Sequence, residues 1–261
     1  MRIAAIYDIH GNLPALDAVL AEIEREAPDL IVVGGDVAAG PMPRQTIERL
    51  MALGERARFV RGNADREMVL ALDTGERSAA LPPAAMEQFT WSVGQLNRQH
   101  RDFLASFTPP VTFAVAGLGD VVFCHGSPRD EDEIITAITS DERLARIVAN
   151  VSQQVVVCGH THMQFDRRSG AVRVVNAGSV GMPYGDPGAH WVMLGPDVSL
   201  RRTDYDFDAA AEIIRSGGAP WAEEFIAKNM RQPATGQEAA TLFEGWAIER
   251  EQRAGQASSD Q

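Results

Sequence analysis

Lysine is nearly absent from this chain. Among 261 residues there is one, Lys228, and acidic side chains outnumber basic ones 36 to 24, for a formal net charge of −12. A Walker A loop needs a lysine after its glycines, so P-loop nucleotide chemistry is excluded. The acidic balance also argues against nonspecific binding to DNA, RNA or an anionic membrane, which needs clustered Lys and Arg. A small anion stays possible where positive charge is supplied locally. Cysteine is scarce as well: Cys124 and Cys158 end apolar runs, beside His125 and His160. That placement suits buried, reduced strand residues better than a disulfide or a thiolate metal ligand. No apolar run approaches the roughly 18 residues of a membrane span. The run after Arg2 is broken by Asp8, so no signal peptide is expected, and the chain is read as cytoplasmic.

What is present is an ordinary globular composition, 45% hydrophobic and 23% charged, long enough for one large domain. Short Val- and Ile-rich runs recur at Ile3–Tyr7, Leu30–Val33, Arg58–Val60, Val121–Cys124, Val155–Cys158 and Val172–Val175. They are continuous rather than alternating, which predicts strands buried on both faces. Between the first two, Leu16, Val19, Leu20 and Ile23 form one stripe of a helix over Leu13–Glu26, with Pro14 at its start and Pro28 past its end. A second helix over Arg44–Leu53 makes the first half βαβαβ. Arg66–Phe107 reads as helical, with a break around Leu81-Pro82-Pro83. A hairpin spans Val111–Val122, a helix Asp141–Ala149, and late strands His190–Leu194 and Val198–Thr203. Asp208–Arg215 and Trp221–Arg250 read as C-terminal helices. The expected organisation is a catalytic domain over 1–205, a helical extension over 206–252 packed on it, and a disordered polar tail over 253–261.

Five polar motifs each follow one of the apolar runs: Asp8-Ile9-His10, Gly34-Gly35-Asp36, Gly62-Asn63, Cys124-His125-Gly126, and Gly159-His160-Thr161-His162. In open α/β sheets the loops at the carboxyl ends of strands converge, so residues far apart in sequence can meet there. Two carboxylates, one amide oxygen and four imidazoles form a mixed N and O set suited to Mn, Fe, Zn, Co or Ni. Seven side chains exceed one tetrahedral centre but suit two ions sharing a ligand.

The order of these motifs, with Asp8-Ile9-His10-Gly11-Asn12 and the later Asn176-Ala177-Gly178-Ser179-Val180-Gly181-Met182-Pro183, resembles the calcineurin-like metallophosphoesterase superfamily, in particular its small bacterial phosphodiesterases. The resemblance covers roughly Met1 to Thr203. It implies a four-layer α/β/β/α sandwich of two mixed sheets with two divalent metals at the carboxyl ends of the strands. Asp8, His10 and His162 would hold one metal, Asn63, His125 and His160 the other, and Asp36 would bridge them, with Asp36 and His10 carrying the catalysis. Two cations minus two carboxylates leave a cationic centre in an acidic protein, which favours a compact phosphate ester over a long polyanion. A water bridging two cations loses its proton near neutral pH, so in-line attack by a metal-bridging hydroxide needs no side-chain nucleophile. The turn at Gly178–Gly181 lacks the G-x-S-x-G spacing of a nucleophile elbow, because Ala177 stands at the first position.

One departure matters. Many members carry a His after the Gly-Asn of the third motif, where this chain has Ala64. Ala cannot move a proton, which costs on the order of 10²–10⁴-fold for poor leaving groups. Activated or phenolic diesters are therefore favoured over alkyl monoesters. Asp65 is expected to cap the helix that follows. Asn12 either touches phosphate or braces its loop, and Arg129 either binds substrate or stays solvated. His100 is expected on the solvated surface, and His190 in a structural or rim position. Phe89, Trp91, Phe103 and Phe107 read as core, with part of them available to wall a cleft. Within enzymes the alternative is a nucleotide phosphatase or dinucleoside polyphosphate hydrolase. Outside them it is a metal-binding interaction module without catalysis, against which the full ligand set argues.

Overall fold

The structure is a computed structural model that describes residues 1–76 and 82–259. Ten strands form two five-stranded mixed sheets among the described residues. In the first, β1 (Ile3–Ile6), β2 (Leu30–Val33) and β3 (Ala57–Phe59) run parallel, and β9 (Ala189–Leu194) and β10 (Val198–Thr203) extend it antiparallel, giving the order β10-β9-β1-β2-β3. In the second, β5 (Gly119–Phe123), β6 (Val155–Cys158) and β8 (Val172–Asn176) are parallel, flanked by antiparallel β4 (Val111–Val115) and β7 (Phe165–Ser169), in the order β4-β5-β6-β8-β7.

Strand parity builds the layers. Ile3, Ala5 and Tyr7 face the second sheet, where they meet Val121, Phe123, Val155, Val157 and Val175 in one buried cluster. Ala4 and Ile6 point the other way, under α1 (Leu13–Glu26) and α2 (Pro43–Met51), with Leu16, Val19, Ile23, Ile47 and Leu50. Beyond the second sheet, Val122, Cys124, Val156 and Cys158 pack against Leu144, Ile147 and Val148 of α6 (Asp141–Val148). Alternate side chains of a strand occupy opposite faces, so a run apolar at every position must be covered twice. The result is the α/β/β/α sandwich. Cys124 and Cys158 are free and buried.

The long helical stretch resolves into α3 (Asn63–Thr74), α4 (Pro83–Gly94) and α5 (Arg98–Ala105). Pro82 is the N-cap of α4, while Leu81 of the expected break lies outside the described residues. Phe89, Phe107 and partly buried Phe103 join the core under the first sheet, and Trp91 packs edge-on against Trp221. His100 is not solvated: it is 2% exposed, and its Nδ1 accepts the backbone N–H of Asn97 at 3.2 Å. Asn97 returns the bond to the His100 N–H at 3.1 Å, so the pair caps α5 reciprocally. The surface expectation failed because the polar neighbours of His100 hid its inward-facing helical position.

After β10 the chain forms α7 (Phe207–Ser216), α8 (Ala222–Phe225), a π-helical turn (Ile226–Arg231) and α9 (Gly236–Ser259). A single Trp221–Arg250 helix is ruled out by the break at Gln232–Thr235, where Pro233 removes a backbone donor. The helix α9 runs to Ser259 through most of the stretch whose composition suggests a disordered tail, and residues 260 and 261 lie outside the described residues. Among the described residues no helix is long and apolar enough to cross a membrane.

Candidate metal centre

The five motif loops leave β1, β2, β3, β5 and β6 at their carboxyl ends and meet there. Asp8, His10 and His162 form one group of side chains able to hold a cation, and Asp36, His125 and His160 a second. Within each group the ligand atoms lie within 4.8 Å of one another. The two groups interlock. His10 Nε2 is 3.8 Å from Asp36 Oδ2, and His125 Nε2 is 3.9 Å from Asp8 Oδ1. Asn63 Oδ1 sits 3.0 Å from His125 Nε2, which places the amide of the third motif against the second group.

The backbone is held in an uncommon conformation to achieve this. Asp8, His10, Asp36, His160 and His162 all have positive φ, between 46° and 66°. Left-handed non-glycine residues are sparse, cost of order 1–3 kcal/mol each, and cluster at functional sites. Here the conformation turns each side chain inward at the strand end. Two glycines permit the crowding: a Cβ on Gly62 would lie 2.3 Å from Asp36 Oδ1, and one on Gly159 would lie 2.5 Å from Asp8 Oδ2.

The outer nitrogens fix the rings. His10 Nδ1 lies 3.1 Å from the Ala39 carbonyl, His125 Nδ1 2.8 Å from that of Gly34, and His162 Nδ1 2.9 Å from that of Met182. A carbonyl only accepts, so each Nδ1 carries the proton and each Nε2 faces the centre, the arrangement usual for metal-ligating imidazoles. His10 Nε2 and His162 Nε2 lie 3.1 Å apart, and as neutral metal-ligating rings they bring two lone pairs face to face. Asp8 Oδ1 is buried between them and has no hydrogen-bond partner among the described residues. Facing lone pairs and an orphaned buried carboxylate oxygen are unfavourable unless a cation sits among them. The donor set therefore fits divalent metal.

The buried charges act strongly on one another. Burial alone would raise the Asp36 carboxyl, but the His125 imidazole 3.4 Å away, with His10 and His160 behind it, holds it well below the usual carboxylate range. Burial opposes charge on His125, yet Asp36 and Asp8 push it up to about 10. His160, buried and repelled by His125, falls to about 4.

The other sequence-marked residues sort differently. Asn12 accepts the Ala15 N–H at 3.2 Å and donates to the Gly181 carbonyl at 3.0 Å, bracing the loop that carries His10. Arg129 is held by Glu133, at 2.8 Å from its Nε, and by the Arg146 carbonyl at 3.2 Å. Arg129 nevertheless lines a cavity together with His125. His190 belongs to neither group and lies buried in β9. Asp65 does more than cap α3. Its carboxylate accepts from Gly62 N at 3.0 Å, Asp36 N at 2.9 Å and Val37 N at 3.0 Å, tying the second motif loop to the third.

Other residues support the loops, among them Ser179 of the turn expected to pack near the site. Ser179 Oγ donates to the Asp8 carbonyl at 2.7 Å, and Asn176 Nδ2 to the Gly159 carbonyl at 2.6 Å. Both lie in the Asn176–Pro183 motif, which was the available signal. Tyr184 stacks on His162 at 5.8 Å, and Phe243 of α9 packs 6.5 Å from His160. No local pattern marks either.

The sequence profile of the calcineurin-like phosphoesterase superfamily domain matches residues 1–197. Phosphodiesterase YfcE of Escherichia coli strain K12 is 28% identical over 207 residues, covering 76% of this chain and 89% of that protein. A metallophosphoesterase from Sphaerobacter thermophilus superposes with a TM-score of 0.67 at 28% identity, over 87% of this chain and 97% of its own. A hypothetical protein from Pyrococcus horikoshii OT3 reaches a TM-score of 0.76 over 90% of this chain and 99% of that one, at 20% identity, a likeness of fold. With the profile matched over most of its length and the layered fold in place, the chain belongs to the calcineurin-like phosphoesterase superfamily.

Proposed function

We propose that the protein is a metal-dependent phosphodiesterase that hydrolyses a small phosphate ester, with Asp8, His10 and His162 holding one divalent cation, Asn63, His125 and His160 a second, and Asp36 between them. The observation that carries this reading is the pair of interlocked ligand groups with their imidazoles fixed from outside and Asp8 Oδ1 left without a hydrogen-bond partner among the described residues. Bound transition metals, Mn²⁺ being the one we favour, would supply Lewis acidity and an activated water. The chain's own work is positional. Asp65 and Ser179 hold the loops at their backbone, the three carbonyl contacts hold the rings, and Ala64 offers no proton to a leaving group. A diester with a good leaving group fits that inventory better than an alkyl monoester. The similarity to a phosphodiesterase supports the same choice, and the free buried cysteines support a reducing, cytoplasmic setting.

Hydrolysis of bis(p-nitrophenyl) phosphate, p-nitrophenyl phosphate and a dinucleoside polyphosphate by the Mn²⁺-loaded protein tests this. The diester should be cleaved fastest, with activity lost on chelation. A monoester or polyphosphate rate far above the diester rate would overturn it in favour of the nucleotide-directed alternative.

A further inference from the structure

A cavity of about 440 Å³ opens directly from the metal centre, with His10, Asp36, Asn63 and Ala64 at its inner end. Its outer part is made by α4 on one side and by the segment Trp221–Asn229 on the other. That second wall lies beyond the region matched by the superfamily profile. Part of it is the π-helical turn Ile226–Arg231, a conformation that recurs at functional sites because it re-aims side chains.

We propose that this cavity is a subsite for the organic group that stays on the phosphate, and that it takes an uncharged, planar heteroaromatic group. The inference rests on the phosphodiesterase reading above. The walls are apolar: Phe89 and Phe225 are nearly buried, and partly exposed Trp221 and Met182 offer an indole and a thioether, which suit a flat ring. Between them stand the amides of Gln88 and Asn229, whose side chains bond to no described residue. A carboxamide presents a donor and an acceptor side by side, the pattern that reads the edge of a nitrogen heterocycle. The cation at the rim is already engaged: Lys228 Nζ lies 2.7 Å from Glu224 Oε1, and both residues line the cavity. With Glu67 and Glu224 lining the cavity against the single Lys228, its charged rim is net negative and a poor seat for a second phosphate, so the apolar walls and the amides set the ligand class. The volume lies within the 300–1,000 Å³ range of small-molecule sites.

The test uses two esters with one leaving group, p-nitrophenyl methyl phosphate and p-nitrophenyl thymidine 5′-phosphate, on the full-length Mn²⁺-loaded protein. The expected kcat/KM ratio of thymidine to methyl ester is at least about tenfold. It should fall toward one in Trp221→Ala and, as a milder change to the fold, in Asn229→Ala. Leu242→Ala, exposed on α9, should keep the wild-type ratio. Calorimetric titration with thymidine 5′-monophosphate and with inorganic phosphate supplies a second readout independent of turnover. The nucleotide should bind about tenfold more tightly, with the preference lost in the same two variants. Equal affinity for both probes, or ratios unchanged in both variants, overturns the subsite. Absence of diester turnover together with an intact nucleotide preference would sink the phosphodiesterase reading and leave the subsite standing.

Discussion

Asp36 stands where the two ligand groups touch, 3.4 Å from His125 Nε2 and 3.8 Å from His10 Nε2. Asp36→Asn keeps the shape but removes the charge, and should lower kcat/KM by at least about 100-fold, since loss of even an outer partner of a metal ligand costs 10–100-fold. Metal content by mass spectrometry should fall with it, and a variant with full metal and full activity would contradict the assignment. Asp65→Ala leaves the N–H groups of Asp36, Val37 and Gly62 without their acceptor in a buried loop. Thermal denaturation should show a loss of about 3 kcal/mol, the upper figure for orphaning a buried donor. His100→Ala, by contrast, should leave kcat/KM within about twofold while costing about 1 kcal/mol from the lost reciprocal cap of α5. The ligand residues were legible in the sequence because each motif carries its chemistry in two or three consecutive letters. Asp65 was only half legible: its place at the start of α3 marks a cap, but two of its partners sit 28 and 29 residues away in another loop.

At the scale of elements, a segment was readable where one signal dominated. The limits of α1 follow from its apolar stripe and its prolines, with Asn12 capping the first turn. Five of the six parallel strands follow from apolar runs rich in Val and Ile, while β3, Ala-Arg-Phe with Arg58 exposed, is the weak one. Strand β7, Phe-Asp-Arg-Arg-Ser, went unseen because three of its five side chains are charged and it is recruited by pairing with β8. The separation of α9 from α8 was marked by Pro233 but passed over, because the flanks on both sides are helix-forming. That break matters, because it lets α9 return over the site: Phe243 packs near His160 and Tyr184, and Glu244 meets Arg143 at 3.2 Å. Phe243→Ala should therefore destabilise the fold by about 3 kcal/mol, as buried aromatic truncations do, and should also weaken metal retention during dialysis. Stability lost with metal retention unchanged would confine α9 to a structural role.

For the whole molecule, layering and charge act together. Two sheets packed face to face bring five strand ends to one rim, and a centre of two divalent cations there would be strongly positive in a chain of net charge −12. Ligands that bind the folded state alone stabilise it by mass action, about 2.7 kcal/mol at a hundredfold excess over Kd. Chelation should accordingly lower Tm by several degrees, and Mn²⁺ should restore it. The fold class was legible because parity and length of the strands leave few ways to cover them. The cavity beyond the metals was not, since it is built from α4 and from a segment more than a hundred residues later, joined only in three dimensions. The central claim is that seven side chains hold two ions. Anomalous scattering from crystals of Mn²⁺-loaded protein addresses it most directly. Two peaks about 3.5–4 Å apart are predicted, one against Asp8, His10 and His162, the other against Asn63, His125 and His160. A single peak, or two peaks away from Asp36, would contradict it.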